Sequence, residues 1–319
     1  MATFSLTCAD ALLRERTTRD DWHRIVGLRD HPRFLFAFFK YCELIPDHFA
    51  GAVYLNKVVT ESARFEMLAY ALYLYDTRDP GDPRTGLTVA RLSRICAERN
   101  VASRGRVIAI LGIMQIVGYL RQRRSEIDKR IVHLEPTAKF IAIVEAWNVR
   151  ILQVLDVIEG GEAFVNAHRA DARFGWDMRR RGAEALLAGW NPLDPFPELR
   201  VFYYRDGGWM LLLACAANAL QRSDGRNIDP VGLDLGAFGK RFGVSRSHLR
   251  RLLEDAFALG FLKAPPKNGQ TILFAPDYMA MFLTWMASEL SNYRLWAIDL
   301  MTAVRMDVSH NDVGNNLQV

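Results

Sequence analysis

Apolar residues recur at helical spacing along most of this chain, with short interruptions. The spacing predicts helices over 34–43 and 52–75, the second stopped by Asp79-Pro80-Gly81-Asp82-Pro83. Helical pattern resumes over 137–158 and 162–187, with a break at Gly160-Gly161, and again over 208–222 and 277–304. Residues 1–30 mix charge with few apolar positions and read as a loosely packed lead-in. Three prolines, Pro192, Pro195 and Pro197, forbid a helix and set a boundary. The expected organisation is therefore residues 1–189, residues 190–306, and a polar, Asn-rich tail over 307–319 that reads as disordered.

Two stretches depart from plain helix, and they match each other. When Ser103-Arg104 is laid over Ser245-Arg246, Val107 falls on Leu249, Ile110 on Leu252, Leu111 on Leu253 and Met114 on Ala256. These positions form one helix face. Ser103 and Ser245 stand where an N-cap is wanted, and Gly118 and Gly260 where a left-handed C-terminal residue is wanted. Upstream, Leu92 and Ile95 match Leu235 and Phe238 after a slip of one residue, as the faces of a shorter helix. Downstream, Gly118-Tyr119-Leu120 and Gly260-Phe261-Leu262 lead into strands that return through 130–134 and 271–274. Both segments end at a proline, Pro136 and Pro276.

Short helix, turn, Ser-capped helix, Gly-aromatic-Leu, hairpin, proline and long helix: this order, spanning about 87–136 and 233–276, resembles the bacterial winged helix-turn-helix transcription regulators, above all the MarR-like group. The resemblance implies a mainly α fold with two tandem winged helix-turn-helix domains flanked by long helices. It departs from that group in carrying both modules on one chain, as an intrachain pseudo-dimer.

In such a module the second helix enters the major groove and the hairpin, or wing, reaches the backbone. The second copy opposes its core face with Ser245, Arg246, Ser247, Arg250 and Arg251, and flanks it with His248. Arginine reads guanine with two hydrogen bonds, and serine serves bases or phosphates. The first copy is basic only in its first turn, at Ser103, Arg104 and Arg106, and then presents Ile108 and Ala109. Its wing compensates, with Arg121, Arg123, Arg124, Lys129 and Arg130 against Glu126 and Asp128. The second wing offers Lys263, Lys267, Asn268 and Gln270. A second basic run, Arg179-Arg180-Arg181, reads as an ordinary charged helix face.

Composition adds little weight. A net charge of +5 over 319 residues suits a nucleic-acid partner without demanding one. Four scattered cysteines, Cys8, Cys42, Cys96 and Cys215, suggest neither a zinc site nor a disulfide framework. No phosphate loop, nucleophile elbow or metalloprotease motif occurs, so no catalytic, metal or cofactor residues are assigned. No apolar run precedes the early charges, and the apolar stretches 107–120 and 208–220 are too short to span a bilayer; they are expected to be buried helices in a cytoplasmic, nucleoid-associated protein. Six tryptophans, Trp147, Trp176, Trp190, Trp209, Trp285 and Trp296, fall on or near the long helices, where core packing, a helix–helix homodimer interface or a pocket for a small aromatic effector would use them. The expected function is a sequence-specific, double-stranded DNA-binding transcriptional regulator. A plasmid-type replication initiator and a winged-helix protein-interaction scaffold are the alternatives.

Overall fold

The computed structural model describes residues 5–52, 54–56, 61–221, 228–265 and 271–315, with side chains in the last helix described through residue 303. The protein is mainly helical, with two small antiparallel sheets. The first half comprises α1 (Asp10–Glu15), α2 (Arg19–Arg29), α3 (Phe34–Phe49), α4 (Ser62–Asp76), α5 (Val89–Glu98), α6 (Arg104–Ile116), β1 (Leu120–Arg124), β2 (Val132–Pro136), α7 (Ala138–Glu159), α8 (Ala163–Ala170) and α9 (Arg173–Leu187). After a short 3-10 turn, Pro197–Leu199, come α10 (Arg200–Tyr203), α11 (Gly208–Gln221), β3 (Val231–Gly232), α12 (Leu235–Phe242), α13 (Arg246–Ala258), β4 (Thr271–Ile272) and α14 (Pro276–Asn315).

Local chemistry explains most of these boundaries. Side-chain oxygens of Thr18, Thr88, Ser103, Thr137, Asp234 and Ser245 each accept a hydrogen bond from a first-turn backbone N–H, at the starts of α2, α5, α6, α7, α12 and α13. Helix α7 stops at Gly160, which takes the left-handed conformation (φ +82°). Two helices differ from the spacing. Helix α3 continues past Glu43 through Pro46 to Phe49, because Ile45, Pro46 and Phe49 are all buried and that burial outweighs the missing backbone bond. Of the helix expected over 52–75, residues 54–56 are helical and Ser62–Asp76 form α4, with Glu61 extended just before it; residues 53 and 57–60 lie outside the described residues.

Over the described residues 5–30 the lead-in is packed, not loose. Leu13, Trp22, Ile25 and Leu28 are buried, and α2 packs along α14. The Arg29 guanidinium is sealed from solvent, bonded to Asp10 at 2.5 Å and to the Thr284 hydroxyl at 3.1 Å. A sparse apolar pattern hid this, since a few widely spaced side chains, among them Ala9, Leu13, Trp22, Ile25 and Leu28, carry the contact.

One hydrophobic core runs through both halves. Helix α11 lies deep within it, with Leu211, Leu212, Leu213, Cys215, Ala216 and Ala219 inaccessible to solvent, as its all-round apolar character demands. The other short apolar stretch behaves differently. Helix α6 buries Val107, Ile110, Leu111 and Met114 but leaves Ile108, Ile113 and Ile116 exposed. Polar ties also join the halves. Gly51 donates its N–H to the Arg241 carbonyl (3.0 Å), Asn56 Nδ2 donates to the Phe242 carbonyl (3.0 Å), and Arg64 pairs with Asp206 (3.0 Å). Among the described residues, no helix is long and apolar enough to cross a membrane. The α14 backbone stays helical to Asn315, beyond the stop expected near residue 304.

The internal repeat persists in the backbone hydrogen bonds. Gly118 N–H donates to Gln115 and Gly260 N–H to Phe257; Tyr119 N–H donates to Met114 and Phe261 N–H to Ala256. Thr137 N–H returns to the Tyr119 carbonyl as Ala275 N–H returns to Phe261, and Val101 N–H donates to Cys96 as Val244 N–H does to Gly239. Even the ring contacts repeat: Tyr119 lies 5.4 Å from Phe140, and Phe261 lies 4.5 Å from Tyr278.

The sheets complete each unit unequally. Strands β1 and β2 pair over five residues, with Arg121 opposite Glu135 and Arg123 opposite His133. In the second unit the returning strand β4 pairs chiefly with β3, which precedes α12. The expected hairpin partner contributes a Leu262–Phe274 bridge and a Lys263 N–H bond to the Leu273 carbonyl (2.8 Å). The first unit has a matching stub, where Leu134 N–H donates to the Leu87 carbonyl (2.8 Å).

Candidate functional site

The start of α13 is built by its turn. Gly243 takes a left-handed conformation (φ +73°), and the chain then doubles back so closely that a Cβ on Gly239 would stand 2.3 Å from the Val244 carbonyl oxygen. Leu249, Leu252, Leu253 and Ala256 are wholly buried, which fixes the rotation of α13 and turns Arg246, Ser247, Arg250 and Arg251 to solvent. Arg250 pairs with Glu254 one turn on (3.3 Å). Arg246 and Arg251 carry no ion pair among the described residues. Ser245 caps the helix, and the Ser247 hydroxyl lies 3.1 Å from the Ser245 hydroxyl. His248 is half-buried, with Nε2 shut off from solvent and without a hydrogen-bond partner, so it is not offered outward as Arg246 is. Lys263 is exposed, in the segment that follows α13; Lys267, Asn268 and Gln270 lie outside the described residues.

The first unit differs at its surface. Ser103 caps α6, and Arg104 is exposed without an ion pair among the described residues. Arg106 is bound to Glu61, a buried carboxylate that also holds Arg64 at 3.2 Å. Its charge is thereby neutralised within the protein. Beyond Arg106 the exposed face is apolar, with Ile116 87% exposed.

The β1–β2 hairpin is less free than its basic sequence suggests. Glu135 is buried at the base of the sheet and binds three guanidinium groups: Arg121 (3.1 Å), Arg123 (3.5 Å) and Arg78 (3.1 Å). Arg123 also meets Glu126 (3.1 Å), and Arg130 meets Asp128 (2.9 Å). Arg124 and Lys129 are exposed and have no ion pair among the described residues. The sequence alone does not single out Glu135. The cross-strand register places it opposite Arg121, so the pairing becomes legible only once the register is known. His133, on the same strand, holds the hairpin to the preceding loop, its Nε2 3.0 Å from the Pro83 and Thr85 carbonyls.

The Arg179-Arg180-Arg181 run is consumed internally. Arg179 donates to Asn148 Oδ1 (2.6 and 3.2 Å), Arg180 pairs with Asp177 (3.2 Å) and Arg181 with Asp299 (3.2 Å). Glu159 and Glu162 bind Arg294 and Arg169, and do not form an acid–base couple with each other.

Five of the six tryptophans on or near the long helices converge elsewhere. Trp147, Trp190, Trp209, Trp285 and Trp296 line a cleft of about 140 Å³ among α3, α4, α7, α9, α11 and α14. The sixth, Trp176, instead donates its indole N–H to Glu145. Glu61, the anchor of Arg106, lines the same cleft. No group of histidine, cysteine or carboxylate side chains among the described residues is arranged to hold a metal ion. Compared with protein-family models, curated proteins and solved structures, the chain has no match.

Proposed function

We propose that this chain binds double-stranded DNA as a transcriptional regulator, using residues 87–136 and 233–276 as tandem winged helix-turn-helix modules. The observation that carries the reading is the repetition, in both units, of the same capped helix and the same backbone hydrogen bonds around it. Cap bonds alone are common to many helices, but here the turn bond before the helix, the Gly-aromatic step after it and the bond returning from the next strand repeat in the same order. The second module supports direct base reading best, since Arg246 and Arg251 are exposed without an ion pair among the described residues, Arg246 acting only through space on Asp234, on a helix whose rotation the core fixes. The first module supports a weaker role, with Arg104, Arg124 and Lys129 as the cations available to phosphates.

The test is binding of the full chain to DNA fragments from its own upstream region, with Arg246→Ala and Arg251→Ala beside it. Removing an arginine that reads a base should cost about 1–3 kcal/mol and relax sequence preference; removing one that meets a phosphate should weaken binding to all duplexes alike. Unchanged affinity in both variants contradicts the assignment of α13 as the reading helix.

One observation favours a second use for the first module. Ile108, Ile116 and Ile127 are exposed on α6 and the hairpin, where an apolar face suits protein better than phosphate. In that reading the second module alone touches DNA, and replacing these three isoleucines by serine leaves DNA affinity unchanged.

A further inference from the structure

We propose that the tryptophan-lined cleft is a binding site for a small organic cation, caged by aromatic rings around the Glu289 carboxylate. The inference stands whether or not the chain binds DNA. Its first basis is the cage. Tyr203 lies 4.4 Å from Trp209 and 5.0 Å from Trp285, and Trp209 lies 4.9 Å from Trp285. Across the cleft Trp296 lies 6.0 Å from Trp190 and 5.5 Å from Tyr293. Most of these contacts are edge-to-face, so within each pair one face is covered by its neighbour's edge; any face left towards the cleft attracts a desolvated cation.

Its second basis is an unmet acceptor. Glu289 Oε1 is shut off from solvent and has no hydrogen-bond partner, although Glu289 lines the cleft. A buried polar atom left unsatisfied is costly, and a bound donor would remove that cost.

The charge around the cleft sets the sign of the ligand. Glu66 and Glu289 carry no ion pair among the described residues. Glu61 is already shared by Arg64 and Arg106. The one cationic side chain among the lining residues, Arg179, directs two nitrogens to Asn148 Oδ1. Once Glu289 is ionised, above pH about 8, an anionic aromatic would meet two carboxylates without an ion pair among the described residues; the Arg179 guanidinium, held by the neutral Asn148 amide, lies on α9, so the cation is placed against Glu289 and the rings of α10, α11 and α14. The volume suits a single-ring molecule, since a cavity of about 150 Å³ accommodates benzene.

The experiment uses the full chain and three probes of similar size: phenyltrimethylammonium, its neutral isostere tert-butylbenzene, and benzoate. Quenching of tryptophan fluorescence reports occupancy, above the pH of about 8 to which burial pushes the Glu289 carboxyl. Phenyltrimethylammonium should bind at least about tenfold more tightly than either other probe. Glu289→Gln should erase that preference while leaving tert-butylbenzene affinity unchanged, which also reports an intact cleft. The proposal is overturned if the neutral or anionic probe binds as tightly, if none saturates, or if Glu289→Gln keeps the preference.

Discussion

At the scale of single residues, the second unit depends on one missing Cβ. Gly239 sits where the α12–α13 turn brings the Val244 carbonyl within 2.3 Å of a Cβ position. Gly239→Ala must therefore push two packed helices apart, and overpacking of this kind costs typically about 1–3 kcal/mol. Urea unfolding of the variant should show that destabilisation; an unchanged midpoint would mean that the turn relaxes freely. The corresponding residue in the first unit is Cys96, which carries a Cβ, so the two turns do not close identically. The serine caps were legible in sequence because a cap needs only one side chain and its local backbone. Glu61 and Glu135 were not, because each also binds an arginine far away in sequence, Arg106 and Arg78, which only the fold brings near.

At the scale of elements, α6 and α13 share a scaffold and differ in what they offer. The difference predicts unequal sensitivities. Arg104→Ala removes an unpaired surface charge and should weaken DNA binding, with a shallower salt slope by roughly one unit. Arg106→Ala removes a charge already neutralised by Glu61 and should leave affinity within about twofold, the scale of an uninvolved site. Titration of both variants against one duplex at low salt decides this, and equal weakening would show that Arg106 leaves Glu61 on binding. The helix–turn–helix pattern was visible because its apolar spacing is local. The sheet partners were not: β3 is two residues long, and its pairing with β4 spans the entire α12–α13 unit.

At the scale of the whole molecule, one core joins segments that sequence composition kept apart, and its buried ionisable groups set a pH response. Burial pushes the Glu289 carboxyl from its ordinary 4.5 up to about 8. Tyr41 from α3, Tyr203 from α10 and Tyr293 from α14 feel its charge. The folded chain therefore holds a proton that the unfolded chain releases, and stability falls as pH rises from 4.5 towards 8. His48 works in the opposite direction. Burial first, with Arg150 and Arg179 nearby, pushes it from 6.5 down to about 4, so stability falls as pH drops from 6.5 towards 4. The two slopes oppose each other between 4.5 and 6.5; above 6.5 the His48 contribution has ended and Glu289 sets the decline towards 8, with burial raising Glu66 and Asp156 in the same direction. Urea midpoints should decline between pH 6.5 and 8, and Glu289→Gln should flatten that decline. A slope that survives the substitution assigns the proton elsewhere.

If the scaffold meets duplex DNA as proposed, the salt dependence of binding shows it. Anisotropy of a labelled fragment from the chain's own upstream region, titrated at several salt concentrations, gives the slope of log affinity against log salt. A steep negative slope is expected, about −0.9 for each phosphate neutralised, with tighter binding to that fragment than to arbitrary duplex. Salt-insensitive binding, or no binding to any duplex, would contradict it.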